Sequence, residues 1–215
     1  MSTPLPPTRT TRKRLAKTQE IYATAARLFA ERGYHATRIQ DIADALDMNK
    51  GSLYYYFSGK EELLIHIVEG RVNDALASVQ TIVMSDAPVH QRLQAAVQEH
   101  LRLFHADADI FSIFQFEKLN AINQKAAVAV DRLGREYERL WLELLSEGMA
   151  TGMFRQDLDP KILTKAIMGM CNQTLIWFNP TGRLKIDGIG EMYAAFILEG
   201  LKKPILKGYP PQHGS

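Results

Sequence analysis

From about residue 12 to residue 202 the apolar side chains return every three or four positions, and nowhere do they alternate with polar ones over the roughly four to eight residues of a half-buried strand. A chain with this single period has no means of building a sheet. It must bury helix against helix, so the fold class is all-α. Ile21, Ala25, Leu28 and Phe29 lie on one face of a first helix, which Gly33 is placed to end in a left-handed C-cap. Ile39, Ile42, Ala43 and Leu46 mark a short second helix, and Asn49 is a good N-cap for a third that runs through Phe57. Two short helices joined by a tight turn have the outline of a helix-turn-helix. Further helices follow over about 60–84, 89–105, 109–119, 123–151, 160–178 and 186–202, and Asp159 followed by Pro160 is an N-cap with proline at the first helical position. Three prolines among small polar residues make residues 1–10 a flexible arm, with order beginning near Arg12; the tail holding Pro204, Pro210 and Pro211 reads as loose.

Charge is segregated along this string of helices. Residues 1–60 hold ten Lys and Arg against five Asp and Glu, a net of +5, whereas residues 61–215 hold sixteen against nineteen, a net of −3. Arg9, Arg12, Lys13, Arg14 and Lys17 all precede the first acid, Glu20. That footprint suits a polyanion and would raise affinity for a duplex without choosing its sequence, although a solvated tail would carry the same charges. No apolar run approaches the roughly 18–20 residues of a membrane span and no apolar leader opens the chain, so a soluble, cytoplasmic protein with no membrane partner is expected. The single cysteine, Cys171, has neither a disulfide partner nor the spaced companions of a zinc site. His90, His100 and His105 lack the i, i+4 spacing of a helical metal site, and no His-Glu-x-x-His, phosphate-cradling glycine loop or nucleophile elbow occurs. Neither enzyme activity nor a metal or cofactor is expected.

The segment 37–60, TRIQDIADALDMNKGSLYYYFSGK, is the most informative. With Leu53 and Phe57 as anchors, the opposite side of the third helix carries Gly51, Ser52 and Tyr55, flanked by Lys50 and Tyr54 on one edge and Tyr56 on the other. A recognition helix enters the major groove N-terminus first and must be slim there. Gly51 supplies clearance, Lys50 and Ser52 can bond base edges, and tyrosines can reach phosphate oxygens. Three adjacent tyrosines also suit an aromatic core stripe, but neighbours 100° apart cannot all be buried, so at least one faces outward. Lys60 fits a phosphate clamp and a plain surface position equally.

The run GYHATRIQDIADALDMNKGSLYYYFSGKEEL resembles the N-terminal DNA-binding domain of the TetR family of bacterial transcriptional regulators, through the pattern G-x-x-x-T…D-I-A…G-x-L-Y-x-Y-F-x-x-K-E-x-L. The resemblance implies a phosphate contact at Thr37, a DNA contact at Gln40, approach to the bases by Lys50, Gly51, Ser52 and Tyr54, and backbone contacts by Tyr55, Tyr56 and Lys60. Arg38 stands where many members carry a small cap, so either Thr37 caps the second helix or its start is shifted. The implied organisation is a flexible basic arm over 1–12, a helix-turn-helix domain over 13–73, a helical effector-binding and dimerisation domain over 74–203, and a loose tail over 204–215. The run WFNPTGRLKIDGIGEMYAAFILEGL is similar to the branch that responds to fatty-acyl or steroid-derived coenzyme A thioesters, through Trp177, Pro180, Gly182, Leu184, Tyr193 and Gly200. Those residues equally suit shaping a turn and packing a helix.

The function this implies is a homodimeric repressor on a palindromic, double-stranded DNA operator, released by a small apolar or acyl-coenzyme A effector. The alternative is a DNA-binding regulator of the same fold without an effector. Effector candidates are His100, Phe104, Phe111, Phe114, Gln115, Trp141, Met170, Asn172 and Trp177, bulky groups with few polar partners. An ordinary helical core has the same composition. The two last helices carry apolar stripes too broad for one wet side, which makes Ile189, Tyr193, Phe196 and Ile197 candidates for a dimer interface, unless the stripes simply close each protomer's core.

Overall fold

The computed structural model describes residues 9–108, 110–111 and 124–202, and these are helical apart from turns and connections. Eight helices are described: α1 Arg9–Arg32, α2 Ile39–Ala45, α3 Lys50–Leu53, α4 Lys60–Val83, α5 Val89–Ala106, α6 Gln124–Ala150, α7 Pro160–Trp177 and α8 Ile186–Lys202. Residues 1–8 of the expected arm, residue 203, the tail expected over 204–215 and most of the helix expected over 109–119 lie outside the described residues.

Helix α1 begins at Arg9, so residues 9–12 belong to a helix rather than to a flexible arm; Arg, Lys and Leu are good helix formers. Ile21, Ala25, Leu28 and Phe29 are its buried face, and Gly33, at φ 83°, donates its N–H to Phe29 O at 2.9 Å to close it. Helix α2 starts with Arg38 as its N-cap, and the Asp41 carboxylate accepts from the Arg38 N–H at 2.6 Å. A residue without a capping side chain is thus accommodated by an acid one turn in. Asp47, at φ 52°, makes the turn to α3 in the left-handed conformation that aspartate tolerates. Asn49 Oδ1 accepts from Ser52 N at 2.7 Å and caps α3. That helix ends at Leu53, not Phe57: Tyr54, Tyr55 and Tyr56 form a turn, since aromatic residues lose side-chain freedom in a helix, and Phe57 is then delivered to the core.

Helix α4, about 36 Å long, packs on α1, α5 and α6, with buried residues from Leu63 to Val83 along its length. It therefore joins the α1–α3 unit to the remaining bundle in one rigid element. The Arg92 guanidinium donates to Val83 O at 2.7 Å and Ala87 O at 2.8 Å and pairs with Glu147, which fastens the α4–α5 turn to α6. Helices α7 and α8 both lie against α5. Asp159 caps α7 by accepting from Lys161 N at 2.7 Å and Ile162 N at 3.3 Å. Among the described residues no helix is long and apolar enough to cross a membrane.

Candidate nucleic-acid interface and interior polar cluster

The α2–turn–α3 unit presents Lys50 and Gly51 on the exposed end of α3, with Ser52 half-buried behind them. A Cβ on Gly51 would meet only Asn49 Oδ1, at 3.4 Å, so the chain's own packing does not require a glycine there. Tyr54 and Tyr55 are exposed and Tyr56 is half-buried, edge-on to Tyr55 at 5.3 Å between ring centroids. Lys50 Nζ lies 5.9 Å from the Tyr54 centroid, and the Arg14 guanidinium of α1 lies 5.4 Å from that of Tyr55. Gln40 is exposed and bonded to Asp44 at 2.7 Å. Lys60 Nζ sits 4.1 Å from the Tyr34 centroid and donates to His35 O at 3.4 Å, so its ammonium is drawn onto the α1–α2 connection. Thr37 corrects its expectation: its side chain is buried, with the hydroxyl within hydrogen-bonding range of Leu28 O at 3.1 Å and Gly33 O at 2.9 Å, so it holds the α1–α2 connection instead of reaching a phosphate.

Inside the bundle, α5, α6 and α7 bring together His100, Phe104, Trp141 and Asn172, and Phe111 joins them from beyond α5. His100 is fully buried, its Nδ1 2.9 Å from the Tyr137 hydroxyl and its Nε2 3.0 Å from Asn172 Oδ1. A neutral imidazole satisfies all three groups: Tyr137 O–H donates to Nδ1, and Nε2–H donates to Asn172. Phe104 stacks on His100 at 4.0 Å and Phe111 on Phe104 at 4.1 Å, while Trp141 meets His100 edge-on. The buried Trp141 indole N–H faces the Tyr137 hydroxyl but makes no well-aligned hydrogen bond among the described residues. A second cross-link joins α5 to α7, from His105 Nε2 to Thr174 Oγ1 at 2.7 Å. Sequence reasoning missed Tyr137 and His105 as members of this polar set; a hydroxyl one turn before Trp141 on a buried face was the available signal.

Other candidates are placed elsewhere. Trp177 is 51% exposed and turned away from the cluster, and Met170 is half-buried, because the cluster-facing arc of α7 is taken by Ile167, Cys171 and Thr174. Phe114 and Gln115 lie outside the described residues. Two surface grooves of about 370 and 380 Å³ run beside α5 and α8, lined by Glu99, Arg102 and Asp187 in one and by Gln94, Leu198 and Glu199 in the other; no effector candidate lines either.

Burial holds the His100 imidazole at about 4, well below its ordinary 6.5, and raises the Tyr137 hydroxyl. The unfolded chain accepts a proton on His100 that the folded one refuses. The stability this residue confers is therefore complete above about pH 6.5 and is lost as pH falls towards 4, with about 2 kcal/mol lost between pH 7 and pH 5. Burial lowers His105 in the same direction. Urea midpoints at the two pH values are expected to show the loss in the native chain and a smaller one in His100→Gln. A native stability flat over that window would contradict a buried neutral imidazole.

Among the described residues, five of the eleven exposed large apolar side chains lie on α7 and α8. Ile162, Ile176 and Trp177 project from one face of α7 with Ala166, Gly169 and Gln173, and Met192 and Phe196 project from α8, Phe196 being 72% exposed. Tyr193 is half-buried. Ile189 and Ile197 correct their expectation: α8 turns them inward, and they are part of the protomer's own core.

Residues 21–67 match the family described as bacterial regulatory proteins, tetR family, and residues 86–201 match the tetracyclin repressor-like C-terminal domain. The chain is similar to the HTH-type transcriptional repressor KstR2 of Rhodococcus jostii (strain RHA1), 30% identical over 199 residues that cover 93% of this chain and 98% of the relative. The structure of the ketosteroid transcriptional regulator KstR2 of Mycobacterium tuberculosis superposes with a TM-score of 0.72 at 29% identity, covering 87% of this chain and 95% of that one. AibR, crystallised with isovaleryl coenzyme A and operator DNA, superposes with a TM-score of 0.70 at 27% identity, covering 86% and 98%.

Proposed function

Since the chain belongs to the tetR family of bacterial regulatory proteins, and is on that ground a DNA-binding transcriptional regulator, we propose that it is a cytoplasmic repressor that holds a palindromic operator as a homodimer and is released by an acyl-coenzyme A thioester. Lys50, Ser52 and Tyr54 read base edges with Gly51 giving them clearance, Tyr55, Tyr56 and Lys60 serve the phosphate backbone, and Gln40 touches the DNA beside them. The acyl group, fatty or steroid-derived, enters among His100, Phe104, Phe111, Trp141 and Asn172.

The observation that carries the effector reading is the buried Trp141 N–H, which among the described residues has only an ill-aligned approach to the Tyr137 hydroxyl, beside the Tyr137–His100–Asn172 chain. Burying a donor that is poorly paired costs up to about 1–3 kcal/mol, and an apolar core of the same volume would avoid it. A carbonyl oxygen on an apolar chain supplies a better-placed acceptor. Support also comes from AibR with isovaleryl coenzyme A and from the ketosteroid regulator KstR2. Opening the stack would be felt at the DNA end. Asp107 lies between Phe104 and Phe111, and its carboxylate pairs with Arg71 of α4 at 3.1 Å, so a displaced ring pulls on the helix that adjoins α1–α3.

The test is a selected operator duplex titrated with fatty-acyl and steroid-derived coenzyme A thioesters, followed by anisotropy and by thermal unfolding. One series is expected to weaken the complex by about 5- to 150-fold and to raise the melting temperature, and linkage requires operator to weaken that ligand's binding by the same factor. Operator binding with no response to either series would assign the chain to regulators without such an effector.

A further inference from the structure

Helix α2 buries Ile42 and Ala43 against the core, and Gln40 and Asp44, one turn apart, stand exposed on its other side. The Gln40 amide Nε2 donates to Asp44 Oδ1 at 2.7 Å. That bond settles which end of the amide is which. A carboxylate only accepts, so the NH2 end is held towards Asp44 and the carbonyl Oε1 is turned away from it. Such a bond is weak on a solvated helix and strengthens where a bound duplex excludes water. Its second consequence is electrostatic. The first helix of a helix-turn-helix crosses the DNA backbone, but a phosphate brought to Gln40 meets the Asp44 charge beside it. The pair is suited instead to a base edge that donates, and in the major groove only adenine N6 and cytosine N4 do so. Adenine uses both halves of the amide. Its amino group donates to Oε1 and its N7 accepts the second N–H, whereas cytosine offers the amino group alone.

We propose that Asp44 is a positioning residue that sets Gln40 to read adenine, at a base pair of each half-site beside those reached by α3. The inference rests on the operator-binding reading above, in which Gln40 touches the DNA, and adds the base that is read and the residue that selects it. Without Asp44 the amide turns over freely. Its NH2 end then donates to guanine O6 or N7 as readily as its carbonyl accepts from adenine, so the preference is lost although Gln40 remains.

The experiment selects duplexes from random DNA with the full native chain and with Gln40→Ala, Asp44→Ala and Asp44→Glu. Both positions are exposed, and thermal unfolding of each variant checks that the fold is kept. At one position of each half-site the native chain is expected to prefer an A·T pair over G·C by about fivefold or more. That preference should vanish in Gln40→Ala, fall to about twofold or less in Asp44→Ala, and persist in Asp44→Glu, which keeps an acceptor one turn on. The slope of log affinity against log salt should be unchanged in Gln40→Ala, because no phosphate contact is lost. Replacing the selected adenine by purine, which lacks the 6-amino group, should weaken the native complex by about fivefold or more per half-site and leave that of Gln40→Ala unaffected. Asp44→Ala choosing the same pair as sharply as the native chain would overturn the positioning role. A Gln40-dependent pair that is G·C, or a purine duplex bound as tightly as the adenine one, would overturn the adenine reading, and identical sites selected by the native chain and Gln40→Ala would overturn both. Failure to select any duplex would instead overturn the operator-binding reading itself, and this inference with it.

Discussion

Phe196→Asp is expected to convert the protein to a folded monomer of 24.3 kDa and to lower its affinity for the operator by about a thousandfold or more. Phe196 is exposed on α8, where it touches no essential part of the protomer's core, yet with Met192 and the Ile162, Ile176 and Trp177 of α7 it presents more large apolar surface than a lone protomer has reason to display. A two-fold axis through such faces makes a self-complementary interface and sets two recognition helices about 34–36 Å apart, one turn of DNA. Each half-site then adds its free energy to the other. A monomer keeps only one, which leaves it near the affinity of non-specific binding. Sedimentation and anisotropy on the same preparation check both halves of the expectation. A native chain sedimenting as a monomer, or a variant that remains dimeric, would refute it. Ile197→Asp is the informative contrast: that side chain is buried in the protomer, so a charge there should unfold the chain before it separates two chains.

The same pair of residues shows where sequence reading reached its limit. Both sit in one broad apolar stripe on α8, and a stripe wider than one face says that more than one surface is covered, not which part faces α5. That is settled by tertiary packing, with Gly190 drawn so close to α5 that a Cβ would lie 3.3 Å from Gln98 Cα. Local chemistry was legible. Gly33 ending α1, Asn49 opening α3 and the Asp159–Pro160 start of α7 each satisfy orphan backbone groups within a few residues, so neighbours in sequence suffice to reveal them. Contacts between distant residues were not. The Thr37 hydroxyl lies near Leu28 O because the chain folds back at the end of α1, and His100 finds Tyr137 and Asn172 only when three helices meet. The early end of α3 falls between these cases, since three tyrosines permit either a helix or a turn until Phe57 is seen in the core.

Gly51→Ala is expected to act in opposite directions on folding and on DNA. In the free protomer a Cβ at this position meets Asn49 Oδ1 at 3.4 Å and nothing else within 4 Å, so the substitution should leave stability unchanged or raise it by up to about 1 kcal/mol through the lower backbone entropy of alanine. On the operator the same methyl group enters a space that a close approach to the groove would occupy. Overpacking costs about 1–3 kcal/mol at one site, and a two-fold complex suffers it twice, so about 2–6 kcal/mol, at least thirtyfold in affinity, should be lost. Urea unfolding and anisotropy on the selected duplex measure the two effects separately. If stability fell and DNA binding followed it, the glycine would be a folding residue after all. If neither moved, α3 would not approach the bases at this point, and the reading end would have to be sought further along, towards Tyr54 and Tyr55.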